Sequence, residues 1–196
     1  TAGVDILFEP GEIDETFNYW FLTPRHLDVE SVLKNPAQIL EEEARTYTFT
    51  GSTDKIVSIN MPASGCLWVI NPYYALAYTT DGMFPNYAKL SNESLIHDVE
   101  NPEGSNMDRI FDTGAQNTWC YYFQKGDLAQ SKGDWEKAIS YYEQAITQGL
   151  KPLEGIEYLP FIQSYTQLGQ IEKAVELTQK TIEKTASTRA MFCQFW

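Results

Sequence analysis

Gly133-Asp134-Trp135-Glu136-Lys137-Ala138-Ile139 recurs 36 residues later as Gly169-Gln170-Ile171-Glu172-Lys173-Ala174-Val175. Tyr122 with Tyr158 and Ile146 with Ile182 obey the same shift. A period of this length marks stacked helical hairpins, because one hairpin cannot bury its apolar face alone. The apolar positions agree. Trp119, Tyr122, Phe123 and Gly126 fall on one helical face, and so do Trp135, Ala138, Ile139, Tyr142, Ala145 and Ile146. Tyr158, Phe161, Ile162, Tyr165 and Leu168 predict a third helix, and Ile171, Ala174, Val175 and Ile182 a fourth. Gly133 and Gly169 stand at the tight turn inside each hairpin, and Pro152 forces a break between the two.

These residues resemble the tetratricopeptide repeat. Gly133, Trp135, Ala138, Tyr142 and Ala145 meet its second-helix pattern, and Gly126 its small first-helix position. The second unit departs from it. Thr178 and Thr181 stand where an aromatic and an alanine belong, and Ile162 replaces the first-helix glycine. The resemblance covers residues 119–184 and implies two hairpins, with residues 187–196 beginning a capping helix. It also implies a concave groove for a protein or peptide, lined by Phe123, Asp127, Gln130, Gln163 and Gln167. That set lacks the basic clamp with which some family members hold C-terminal carboxylates. A groove this short could equally be filled in cis by the chain's own N-terminal region.

Residues 1–116 read as a mixed region distinct from the helical residues 117–196. Phe17, Tyr19 and Phe21 alternate until Pro24. Asn35-Pro36 predicts a helix over residues 37–45, with Asn35 as N-cap and Gln38 in its first turn. Three strand-like runs follow, over residues 46–50, 56–61 and 66–70, separated by loop signals at 51–54 and 62–65. The expectation is mainly α with a small β part: two hairpins and a cap, with a short antiparallel meander packed on them. Residues 72–112 show no clear period.

Charge narrows the function classes. With 14 Lys and Arg against 27 Asp and Glu, the net charge is −13, which disfavours nucleic acid and anionic membrane surfaces. No apolar run approaches the ~20 residues a spanning helix needs, so direct membrane insertion is not expected. Thr1 follows no initiator Met, and Trp196 closes the apolar stretch Met191, Phe192, Phe195. The chain is therefore expected to be part of a larger protein. The stretches 60–62, 65–72 and 119–123, followed by the repeat, resemble soluble C-terminal regions of polytopic, glycosyltransferase-like bacterial membrane proteins. That looser resemblance spans about residues 47–196 and implies a place on the extracytoplasmic side of a membrane.

Candidate chemistry is sparse. His26 and His97 have no metal-ligand spacing, and a solvated loop histidine is the simpler account of each. Neither a nucleophile elbow nor a phosphate-binding glycine loop is present. Glu9, Glu12, Asp14 and Glu15 cluster near the start, and Glu41, Glu42 and Glu43 lie on the predicted helix, where a solvated face explains them. Residues 108–112 lack the ligands of a calcium loop. Cys66, Cys120 and Cys193 permit at most one disulfide, of undetermined pairing, and three buried small hydrophobes is the plainer expectation. No catalytic residue, metal or cofactor is assigned. The sequence favours a non-catalytic interaction or scaffolding domain. The alternative is a carbohydrate-handling module of a glycosyltransferase-like enzyme, with Trp68, Tyr73 and Tyr74 as candidate sugar platform.

Overall fold

The computed structural model describes residues 28–44, 47–60, 65–72, 84–96, 117–185 and 188–196. Asp28 opens helix α1 (Val29–Lys34), its carboxylate accepting from the Ser31 N–H at 3.3 Å. Asn35 closes that helix by donating its N–H to Ser31 O. It is a C-cap and not the N-cap the sequence suggested, and within the predicted helix over 37–45, residues 39–44 form a strand instead. Strand β1 (Ile39–Ala44) pairs antiparallel with β2 (Tyr47–Ser52), Ile39 opposite Ser52 and Ala44 opposite Tyr47. The reason is a reversal of the chain before the glutamates. Ala37 adopts φ 65°. Gln38 then exchanges two bonds with Thr53: the Thr53 N–H donates to Gln38 O at 3.0 Å, and the Gln38 N–H to Thr53 Oγ1 at 2.9 Å. Helix preference separates ordinary residues by at most about 0.7 kcal/mol each, and a paired ladder overrides it.

The expected three-stranded meander is two separate hairpins. Gly51 and Ser52, expected in a loop, complete β2, and a 3-10 turn at Thr53–Lys55 then leads the chain away. Strand β3 (Ile59–Asn60) pairs with β4 (Trp68–Val69) in place of β2, Ile59 opposite Val69. The stretch leading into β3 is held by helix α2 (Phe84–Leu90) and the residues just after it, and α2 also packs on α1. The Ser58 N–H donates to Ser91 Oγ at 3.1 Å, Ser58 Oγ to Tyr87 O at 3.1 Å, and the Asn92 N–H to Ile56 O at 2.7 Å. A 3-10 turn, Glu93–Leu95, follows. The alternating run ending at Pro24 lies outside the described residues.

The C-terminal half follows the repeat. Thr118 caps α3 (Trp119–Ser131), and Asp134 caps α4 (Trp135–Thr147) through the Lys137 N–H at 3.1 Å. Pro160 sits in the first turn of α5 (Leu159–Gln167), α6 spans Ile171–Lys184, and α7 (Arg189–Phe195) supplies the cap. Gly133 and Gly169 take φ 76° and 71°, the left-handed conformation that reverses each hairpin cheaply only for glycine. α3 packs on α4 and α5, α4 on α5, and α5 on α6. Gly126 lets α3 approach α5: a Cβ there would overlap the Phe161 ring.

Between the hairpins Tyr142 meets Phe161 at 5.0 Å, and Tyr158 and Tyr165 at 6.3 Å each, between ring centroids. The two threonines that break the repeat pattern are buried, and each satisfies its hydroxyl one turn back. Thr178 Oγ1 donates to Ala174 O and Thr181 Oγ1 to Leu177 O, both at 2.8 Å. Trp196 Nε1 in turn donates to Thr178 Oγ1 at 3.3 Å, so the chain's end covers the place an aromatic would have filled. The fold is mainly α with a small β part, and its core is continuous. Cys66, Trp68, Ile70 and Ala88 belong to the same buried cluster as Trp119, Phe123, Phe161 and Phe192. The cysteines depart from expectation: Cys66 and Cys120 form a disulfide across 54 residues, and Cys193 is an exposed thiol.

Candidate functional site

The first helices of the two hairpins, α3 and α5, pack on each other. Four of the five predicted groove residues are buried there: Phe123, Asp127, Gln130 and Gln163. Gln167 is exposed. A buried amide must find a partner, and Gln130 Nε2 donates to Gln163 Oε1 at 3.0 Å, tying α3 to α5.

A segment of the chain itself docks on α3. Cys66 is bonded to Cys120 in the first turn of α3, and one turn further Gln124 Nε2 donates to Leu67 O at 3.0 Å. The segment is fixed from the other side by Glu157, which is 1% exposed. Its carboxylate gathers three donors. The Cys66 N–H reaches Oε1 at 2.8 Å, while Trp119 Nε1 and the Leu153 N–H reach Oε2 at 2.7 and 2.8 Å. One side chain thereby joins the strand segment, the start of α3 and the linker between hairpins. Gly65, at φ 100°, delivers the chain to this point, and a Cβ on it would stand 2.9 Å from Glu157 Oε1. Sequence reasoning missed Glu157. Its signal is a lone carboxylate between Ile156 and Tyr158 at the mouth of a helix, where a solvated acid would be out of place.

Past the disulfide, the segment and α3 diverge around a cavity of about 300 Å³. Its walls are largely apolar, from Leu67, Trp68 and Val69 on the strand, Leu128 on α3 and Ile96 beyond α2. Polar groups complete the lining: Asn71, Glu93, Asp127 and Ser131. Lys125 and Tyr121 stand on the α3 side, the ammonium 6.0 Å from the ring centroid. Burial pushes the Glu93 carboxyl above the usual carboxylate range, opposed by side-chain hydrogen bonds with Ser131 and Asn71. Nothing in the irregular sequence of 72–112 brought Glu93 forward, since its partners lie far away on α3 and after β4.

Trp68, one of three residues named as a sugar platform, is 2% exposed and presents no open ring face. Tyr73 and Tyr74 lie outside the described residues, as do His26, His97, the acidic cluster of residues 9–15 and residues 108–112. Glu41 is exposed, on β1. Among the described residues, no three His, Cys, Asp or Glu side chains are grouped to hold a metal ion. No described helix is long and apolar enough to cross a membrane.

Residues 121–148 match the family model of the tetratricopeptide repeat. That interval runs from the first turn of α3 to the residue after α4, so the first hairpin is a tetratricopeptide repeat. No curated protein and no solved structure matches the chain.

Proposed function

We propose that the chain is a non-catalytic protein-interaction or scaffolding domain, carried on the extracytoplasmic side of a membrane as part of a larger protein. The observation that carries the interaction reading is the tetratricopeptide hairpin, whose first helix holds a segment of the chain through the Cys66–Cys120 disulfide and the Gln124–Leu67 bond. Repeats of this kind suggest protein interaction, and a segment docked in cis on α3 adds its own side chains to the surface on offer. What remains for a partner is the composite surface of strand segment and α3, with the cavity between them. The Cys66–Cys120 disulfide supports the location, because such bonds persist in oxidising compartments and are rare in the cytosol.

A carbohydrate site finds less support. Sugar platforms need an open aromatic face beside converging polar groups, whereas Trp68 is buried and the cavity walls are mostly aliphatic.

A photoreactive residue at Gln124, introduced into the full-length protein in its own cells, tests the reading when combined with thiol trapping. A discrete adduct with another polypeptide, from membrane-bound protein with Cys66 and Cys120 oxidised, is the expected result. Reduced cysteines in a cytosolic product, or adducts with glycan alone, would overturn it.

A further inference from the structure

The cavity beside β4 differs from a groove for extended peptide. Beside the strand segment lies a half-open space of about 300 Å³, the size of one long side chain and its neighbouring backbone. Leu67, Val69 and Leu128 offer an apolar wall, and Glu93 and Asp127 add two carboxylates to the lining beside Lys125. A ligand that fits has an aliphatic stem and a cationic head. Lysine and arginine are built this way, burying their methylenes along apolar surface while the head meets an acceptor. A polyhydroxylated ligand would leave its hydroxyls against the aliphatic walls, and an acidic one would face two carboxylates. The chain's net charge of −13 favours a basic partner at longer range.

We propose that this cavity is the anchor site for a lysine or arginine side chain of a basic partner protein. The inference rests on the interaction reading above and names the chemistry of its partner. The site is composite: α3 supplies Asp127 and Leu128, the segment after the disulfide supplies Leu67 and Val69, and the turn after α2 supplies Glu93. Ser131 and Asn71 position the Glu93 carboxyl. A cation arriving beside Glu93 would favour its ionised form and bind by a charge-assisted contact in a partly desolvated setting, where such contacts are strong.

The test uses the intact oxidised chain and three peptides of equal length, identical except at the centre: lysine, arginine or norleucine. Calorimetric titration at low and moderate salt should show the lysine and arginine peptides binding at least about tenfold more tightly than norleucine, and less tightly as salt rises. Glu93→Gln should remove most of that preference. Lys125→Glu, on a partly exposed residue, should strengthen the basic peptides several-fold and gives a second, independent readout of the site. Equal binding of the norleucine peptide would overturn the inference and leave the interaction reading standing, as would a preference insensitive to both variants. Failure of all three peptides to bind would also overturn it, and the interaction reading would then stand or fall on its own cross-linking result.

Discussion

Glu157 and Glu93 are two carboxylates in opposite circumstances. Glu157 receives three N–H donors and gives each a partner that water cannot supply at that depth. Glu157→Ala leaves all three unsatisfied, and chemical denaturation should show a loss of at least about 3 kcal/mol. Gly65→Ala attacks the same contact from the other side, adding a side chain at φ 100° within 2.9 Å of Oε1. It should also destabilise, with a smaller loss when placed on Glu157→Ala than on the native chain. Additive losses would mean that the two residues do not share this contact. Glu93 instead carries a cost. Its carboxyl is held above the ordinary range by burial, so the folded state binds its proton more tightly than the unfolded chain does. Stability linked to that proton is fully present below the unfolded carboxylate range and is lost as pH rises through the folded value. Melting temperatures of native protein and Glu93→Gln should therefore diverge in favour of the variant as pH rises above about 4. Convergence with rising pH would contradict the assignment.

Among the elements, the hairpins were legible in the sequence and the strands only partly so, for a reason that lies in the range of the interactions. Apolar spacing, the Gly133 and Gly169 turns and the Asp134 cap are local, and each was visible within one or two helical turns. Strand β1 was not, because Glu41, Glu42 and Glu43 carry no helix-breaking signal and the pairing that makes them a strand comes from Thr53 and β2. The disulfide was equally hidden: three cysteines leave the pairing open, and only the docking of residues 65–71 on α3 brings Cys66 to Cys120. Thr178 and Thr181 were read as departures from the repeat, yet their backward hydrogen bonds make burial affordable. The interface between hairpins makes its own prediction. Burial, and then the Glu143 charge, push the Tyr165 phenol up to about 12, and the same burial raises Tyr142 and Tyr158. Their contribution is intact below the ordinary phenol value of about 10 and is lost as pH rises toward about 12. Tyrosine absorbance and helical circular dichroism should change together over that interval. Gly126→Val should separate α3 from Phe161 at a cost of about 1–3 kcal/mol, read from denaturant midpoints.

Across the whole molecule, one cross-link turns two textures of sequence into a shared core. The disulfide closes a loop across 54 residues, for which chain-entropy arguments give about 4 kcal/mol of stabilisation. With it intact, residues 65–71 are docked on α3 and a largely apolar-walled cavity lies between them. The central claim is therefore the docking of residues 65–71 on α3, and peptide mapping of the protein from its own cells, with thiols blocked before lysis, tests it most directly. A cross-linked peptide pair joining Cys66 to Cys120, with Cys193 alkylated, is the predicted result. A bond involving Cys193, or three alkylated cysteines, would contradict it.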